Sequence, residues 1–438
     1  MREFSRYVAL NVLGMLGISC YILADTFFVA NALGSDGLAA LNLAIPVYNF
    51  IHGAGLLLGI GGAARFALLR GRGAAGGNEV FTHALVLGAA VSLLGMAAGA
   101  FGAEAMASWM GAEGEVAAMT VTYLRMILLF TPLFVCNQIV LAFARNDGAP
   151  RRAMVAMVTG SLANIVLDYL LMYPLGMGIF GAVLATGIAP VISLAVLSPH
   201  FPGKGGSFRP VGCRLSGDTC RRIAVGGAYA FVTEGSCGVV MMVCNALALG
   251  LAGTVGVAAY GVVANIALVV TAIANGIAQG MQPLVSRSVG RGDGQERRLL
   301  VWGLGTALAV NGLIYACMVL GARPIAAAFN GSGDAVLQSL AQQGLRLYFL
   351  GCVPAAVTIV ASAWLSAVGR GAASGVLSLL RGFLVVLPLL VVLAHLGGVT
   401  GLWLAVPVTE ALVCAAACLL TGRGGRWYDR GRKDCEAP

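Results

Sequence analysis

The chain has 438 residues, of which 59% are hydrophobic and only 10% are charged, and its mean hydropathy is +0.89. Soluble proteins contain about 25% charged residues, so this composition excludes a soluble fold and indicates a protein of the lipid bilayer. The net charge of +9 does not indicate nucleic-acid binding, because the basic residues form short clusters between apolar runs instead of one patch.

Apolar runs separated by polar or Gly/Pro-rich breaks predict an all-α membrane protein with twelve transmembrane helices. Each run contains at least the roughly 20 residues that a helix needs to cross a hydrocarbon core of about 30 Å. In chain order the predicted spans are 8–30, 43–68, 80–101, 119–143, 151–173, 178–198, 221–248, 255–285, 300–322, 341–367, 374–396 and 398–421.

The basic residues predict the orientation of these spans. Of the 27 Lys and Arg residues, 24 lie on the side of the two termini, and only Arg125, Arg323 and Arg346 lie on the other. The positive-inside rule therefore places both termini in the cytoplasm, which requires the even number of spans that the apolar runs provide. We expect a multi-pass protein of the cell inner membrane.

The chain contains an internal repeat. Residues 37–42 match 256–261, and Arg72-Gly73 matches Arg291-Gly292 at the same offset along the chain. Six spans return the chain to its starting side, so the halves are expected to be parallel six-helix bundles that form a V-shaped cleft between them. The predicted units are an N-terminal bundle, 1–198, a cytoplasmic linker, 199–220, a C-terminal bundle, 221–421, and a cytoplasmic tail, 422–438.

Four carboxylates lie inside predicted spans, where each costs several kcal/mol unless it is paired or hydrated. Two of them, Asp25 and Asp168, are each about 17 residues from the cytoplasmic start of their spans, or roughly 25 Å at the helical rise. They are therefore expected at the same depth. The other two are Glu234 and Glu410.

Two neutral polar residues are expected near the first pair. Asn164 precedes Asp168 by one helical turn, and Thr186 enters from the outer end of span 6 at a similar level. Oxygen ligands of this kind suit a hard cation such as sodium, whereas neighbouring carboxylates can also exchange a proton. The alternative that Asn164 and Thr186 only bond to nearby backbone stays open.

The remaining intramembrane polar residues are candidates for the cleft. Glu234 is expected near the bilayer midplane with no Lys or Arg at its depth. Glu410 follows Pro407, whose ring frees a backbone carbonyl that a protonated carboxyl could bond. Three further candidates for a substrate cavity are Tyr21, Gln279 and Gln282. Tyr21 could bond to Asp25 or contact a cationic substrate, with ordinary packing as the alternative, and bonding between helices is the alternative for the two glutamines.

Several short segments carry a family resemblance. They are Ala24-Asp25-Thr26, Gly37-Leu-Ala-Ala, Asn164-Ile-Val-Leu-Asp168, Gly181-Ala-Val-Leu-Ala-Thr186, Gly276-Ile-Ala-Gln-Gly-Met-Gln-Pro283 and Gly401-Leu-Trp-Leu-Ala-Val-Pro407. Together they resemble the multidrug and toxic compound extrusion (MATE) family across nearly the whole chain. The resemblance implies a V-shaped exporter that expels hydrophobic, often cationic compounds in exchange for protons or sodium ions.

The resemblance also implies site residues. It implies a cation site in the N-terminal half formed by Asp25, Asn164, Asp168 and Thr186, which would be the metal ligands if the coupling ion is sodium. The acid that some members carry in the tenth helix is missing between Ala341 and Leu365. A complete second cation site in the C-terminal half is therefore not expected.

Two other functions remain as alternatives. A flippase for lipid-linked oligosaccharides would share the duplicated architecture but should carry cations inside its spans, and Arg381 is the nearest candidate, toward the cytoplasmic end of span 11. A membrane-embedded enzyme is disfavoured, because His52 is the only histidine clearly inside a span and no HExxH or GxSxG motif occurs. We expect a monomeric transporter that binds small molecules and membrane lipids but no cofactor and no nucleic acid.

Overall fold

The computed structural model describes residues 1–200, 206–330 and 334–422, and the regular elements of these residues are all helical. Twelve membrane helices follow one another in the predicted order, which confirms the fold class. They are α1 Arg2–Gly34, α2 Asp36–Gly71, α3 Gly77–Trp109, α4 Gly114–Leu129 with Thr131–Asn146, α5 Pro150–Met172, α6 Gly178–Leu197, α7 217–252, α8 254–291, α9 Glu296–Ala328, α10 Ala335–Leu347 with Cys352–Ala367, α11 371–397 and α12 399–422.

Three pairs of helices are joined without a loop, through one glycine each. Gly34, Gly253 and Gly398 have φ angles of 65°, 63° and 57°, which lie in a region that residues with a side chain rarely adopt. The hydroxyls of Tyr21 and Tyr48 are 2.8 Å apart, although 27 residues of straight helix would separate them by about 40 Å. The chain therefore reverses at the glycine between α1 and α2.

Helix α4 is bent, which the continuous apolar run at 119–143 did not indicate. Its two segments meet at Phe130 at an angle of 47°, and Pro132 begins the second segment where its missing N–H costs no helical hydrogen bond. The equivalent helix of the second half, α10, is interrupted by a 3-10 turn at Tyr348–Gly351 just before Pro354. Both halves thus interrupt the same α-helix next to a proline.

The hydrophobic cores show how the halves are arranged. One core lies wholly in the N-terminal half, between Val29 and Val183, and another wholly in the C-terminal half, between Cys244 and Ala405. A third core combines both halves and includes Tyr7 and Met281. These residues lie toward the side of the N-terminus, which we call the basic side because most arginines lie there.

Glycines allow the two halves to pack closely between these cores. A Cβ atom at Gly61 on α2 would lie 2.0 Å from the carbonyl oxygen of Ile223 on α7, and one at Gly280 on α8 would lie 2.7 Å from the Cα of Val8 on α1. Helix backbones can approach this closely only where side chains are absent. The halves therefore meet on the basic side and keep separate cores on the opposite side, which is the predicted two-lobed arrangement.

Residues 206–216 of the predicted linker pack on the N-terminal half. Phe208 contacts the rings of Phe66, Phe81 and Phe143. The backbone N–H of Ser216 donates to Nε2 of His83 at 2.9 Å. The predicted tail, 422–438, lies outside the described residues except for its first position.

Candidate functional site

A buried polar chamber lies in the N-terminal half, where α1, α5 and α6 meet. It contains the four predicted residues Asp25, Asn164, Asp168 and Thr186, none of which is more than slightly exposed. Asn164 and Asp168 share a face of α5 because they are one turn apart. The Asn164 amide lies 3.4 Å from the Thr186 hydroxyl. With the amide turned so that both its oxygen and its nitrogen are hydrogen-bonded, Nδ2 of Asn164 donates to the Asp168 carboxylate at 3.2 Å.

The two carboxylates of the chamber are not fully satisfied by the protein. Oδ1 of Asp25 and Oδ1 of Asp168 are buried without a hydrogen-bond partner, and the two groups lie within electrostatic range of each other. Buried, unpaired carboxylates are costly, so a proton or a cation between them would lower the free energy of this arrangement. The described residues hold no cluster of three or more His, Cys, Asp or Glu side chains that would suit a transition metal.

Tyrosines that the sequence did not single out complete the chamber. Tyr123 on α4 faces Thr186 and lies within electrostatic range of both Asp25 and Asp168. The sequence contained a signal for Tyr123, since this residue lies near the outer end of a predicted span, at the depth expected for Asp25 and Asp168. For Tyr21 the sequence left open a bond to Asp25, contact with a substrate or ordinary packing, and in the structure its hydroxyl bonds to that of Tyr48.

The central cleft between the halves is lined by the predicted residue Glu234 on α7, together with Tyr229, Gln279 and Arg381. The sequence predicted no basic partner for Glu234. In the structure its carboxylate lies 3.6 Å from Nδ1 of His52, which belongs to the other half. A contact across the halves could not be read from either segment alone.

Glu410 makes a different contact from the bond near Pro407 that the sequence left open. Its carboxylate does not reach a backbone carbonyl near Pro407 but accepts a hydrogen bond of 2.6 Å from Nε of Arg381. Arg381 lies in a π-helical turn, Leu380–Leu384, which directs its side chain toward the cleft. The expectation that Glu234 has no Lys or Arg at its depth is therefore corrected, because Arg381 lines the same cleft with Glu410 as its counter-ion.

The two glutamines predicted for the cavity differ in position. Gln279 lines the cleft, and its Oε1 accepts a hydrogen bond of 2.5 Å from Arg145. Gln282 is buried and donates to the backbone oxygen of Ile60 at 3.3 Å, which is the alternative of bonding between helices. Arg145 was expected in a cytoplasmic loop, but it is only 3% exposed and also donates to Oδ1 of Asn11.

Comparison with known proteins identifies the family. The model of the MatE family matches residues 12–170 and again 234–392. The spacing between the starts of the two matches is close to the offset between the repeated sequence motifs, so each half matches the family model separately. Together the matched segments cover most of the chain.

Curated relatives and solved structures match over nearly the full length. The chain is 24% identical to "Multidrug export protein MepA" of Staphylococcus saprophyticus over 93% of this chain and 90% of the relative. It is 26% identical to "FAD transporter" of Shewanella oneidensis over 94% and 92%.

A structure described as the outward-facing conformation of a multidrug resistance MATE family transporter aligns with a TM-score of 0.87 at 25% identity, over 95% of this chain and 94% of that one. A crystal structure of MATE in complex with MaL6 aligns with a TM-score of 0.89 at 24% identity over the same shares. The duplicated helical fold, the family model and these relatives agree that the chain is a transporter and not an enzyme, and it belongs to the MatE family of multidrug and toxic compound extrusion proteins.

Proposed function

We propose that this chain exports hydrophobic and cationic drug-like molecules in exchange for protons or sodium ions, by alternating access. We place it in the cell inner membrane as a monomer with both termini in the cytoplasm. The observation that carries the proposal is the pair of buried carboxylates, Asp25 and Asp168, whose Oδ1 atoms have no hydrogen-bond partner. Full-length similarity to relatives named as multidrug export proteins supports the same function.

In this proposal the chamber binds the coupling ion. A proton or sodium ion at Asp25 and Asp168 would neutralise two charges that repel in a site of low dielectric. Asn164 and Thr186 would contribute amide and hydroxyl oxygens to sodium, and Tyr123 a phenolic oxygen. The chamber residues fit either ion, because the same carboxylates can hold a proton or coordinate a hard cation.

The cleft would bind the substrate. Glu234 is partly exposed in the cleft and would attract a cationic substrate, with Tyr229 providing an aromatic surface. The closed packing on the basic side represents one of two states, and a rocking motion of the halves would open that side to load the substrate. Arg381 does not favour the flippase alternative, since this cleft cation is already neutralised by Glu410.

The test is coupled efflux from proteoliposomes loaded with ethidium, under an imposed pH gradient or sodium gradient. Wild type is expected to move the dye under one of the gradients, and Asp25→Asn is expected to lose this movement while inserting normally. Glu104→Gln is the matched control, because Glu104 is an exposed carboxylate paired with Arg125 outside the chamber. Full gradient-driven efflux by Asp25→Asn would overturn the assignment of the chamber, and absence of any wild-type efflux would overturn the proposed function.

A second candidate substrate class is an anionic aromatic molecule such as a flavin nucleotide. It is favoured by the relative named FAD transporter and by the buried cation Arg145, which bonds to the cleft residue Gln279. The same proteoliposomes, loaded with flavin mononucleotide, test this candidate directly.

A further inference from the structure

We infer that Arg145, which lies behind the cleft residue Gln279, forms an anion subsite when the halves separate on the basic side, and that this subsite takes the phosphate or carboxylate of an amphiphilic aromatic substrate. The inference rests on the proposed function. It adds a site for an anionic group of the substrate, which the carboxylates of the cleft do not predict. It is carried by the position of Arg145, by the partners it has and by the half of the molecule from which each partner comes.

Arg145 is the most deeply buried arginine in the described part of the chain. It lies near the end of α4 and packs between α1 and α8. Its guanidinium donates to two neutral amide oxygens, Oδ1 of Asn11 at 3.1 Å and Oε1 of Gln279 at 2.5 Å. The phenol of Tyr229, on α7, lies within electrostatic range.

No carboxylate among the residues that the structure describes forms an ion pair with Arg145. Two arginines near it do have one, since Arg381 pairs with Glu410 and Arg287 with Glu3. A buried guanidinium without a counter-ion costs several kcal/mol, of which amide oxygens recover only part. An arginine that served packing alone would be replaced by an apolar residue at lower cost.

The two acceptors of Arg145 come from different halves. Asn11 belongs to the same half as Arg145, whereas Gln279 belongs to the other and lies at the interface. Separation of the halves on the basic side would remove the Gln279 oxygen and expose the donors of the guanidinium to the opening. A planar fork of N–H donors matches the oxygens of phosphate or carboxylate, which would replace Gln279 and supply the missing charge.

The substrate class follows from what surrounds the guanidinium. The ring of Tyr229 lines the cleft beside it, together with apolar residues such as Leu56 and Ile60. An acidic group would therefore bind at Arg145 while an attached aromatic ring packs on these residues. A cationic group would instead bind at Glu234, at a different level of the same cleft.

The test compares two ligands that differ by one phosphate, riboflavin and flavin mononucleotide. Purified protein in detergent is titrated into each flavin, and the change in flavin fluorescence gives the dissociation constant. Wild type is expected to bind flavin mononucleotide at least tenfold more tightly than riboflavin, and Arg145→Gln is expected to lose this preference while keeping the riboflavin affinity. Arg151→Gln is the matched control, because Arg151 is an exposed arginine on the same side with the same change of charge.

A second variant keeps the inference testable if Arg145→Gln does not purify. Gln279→Glu puts a permanent carboxylate beside the guanidinium, so it is expected to weaken flavin mononucleotide binding about tenfold more than riboflavin binding. Equal affinities for both flavins in wild type, or a preference that survives both variants, would overturn the inference. Ethidium export, measured on the same wild-type preparation, reports separately on the proposed function.

Discussion

The two halves of the molecule are built on one plan but have opposite interiors. The turn glycines Gly34 and Gly253 have the same backbone conformation, and superposing these turns places Cys244 at the position equivalent to Asp25. The spacing between the starts of the matched family segments likewise places Leu390 opposite Asp168. Both equivalents are buried and apolar in character.

Aromatic rings fill the space that the chamber occupies in the first half. The rings of Tyr260 and Trp403 stack with their centroids 6.3 Å apart, in the core that also contains Cys244 and Leu390. Binding an ion requires buried polar groups, whereas tight packing requires apolar ones, and the two halves provide these separately at equivalent positions. The first half keeps costly buried carboxylates that bind an ion under our proposal, and the second half contributes packing.

The largest effect is expected from the packed half. Trp403→Ala removes a fully buried ring and is expected to reduce the free energy of unfolding by about 3–5 kcal/mol. Melting in detergent, followed as the loss of the monodisperse chromatography peak after heating, measures it. Trp403→Phe is the control, because the indole Nε1 has no hydrogen-bond partner and most of the volume is kept. An unchanged melting temperature in Trp403→Ala would mean that this core is not the stabilising one.

The next largest effect is expected from loss of the buried ion pair between Arg381 and Glu410 in the second half. Glu410→Gln leaves Arg381 without its counter-ion, and a cost of about 2–3 kcal/mol is expected, below the range for a fully buried pair because Arg381 reaches the cleft. The same melting assay reports it, and a double variant that adds Arg381→Gln should recover part of the loss. Additive losses in the double variant would show that the two side chains stabilise the protein independently.

The third effect is on coupling and belongs to the polar half. Asp168→Asn is expected to reduce gradient-driven efflux at least thirtyfold, equivalent to about 2 kcal/mol. Its melting temperature should stay the same or rise, since a buried charge without full hydrogen bonding is removed. Leu390→Val, at the equivalent position of the other half, is the control and should leave coupling intact. A loss of coupling in both variants would remove the distinction between the halves.

The sequence predicted the features that depend on periodicity and on burial cost. The apolar runs and the repeat predicted the twelve helices, and the charge bias predicted their orientation. The high free-energy cost of a carboxylate inside the membrane singled out Asp25 and Asp168. Contacts between distant segments could not be predicted in this way. The pairs Glu410 with Arg381 and Glu234 with His52 depend on the local turn of a helix and on the packing of two halves, which one sequence does not specify.

The smallest effect tests the link between the chamber and the cleft. Tyr21→Phe removes the hydroxyl that bonds to Tyr48 but keeps the ring, so stability is expected to fall by about 1 kcal/mol. Tyr48 in turn stacks on His52, the partner of Glu234, which connects the polar half to the cleft wall through two rings. If this connection transmits the state of the chamber, Tyr21→Phe should slow coupled efflux about threefold without changing ethidium affinity. Tyr48→Phe, which removes the other end of the same bond, should give the same reduction, and unequal effects would show that one hydroxyl has a separate role.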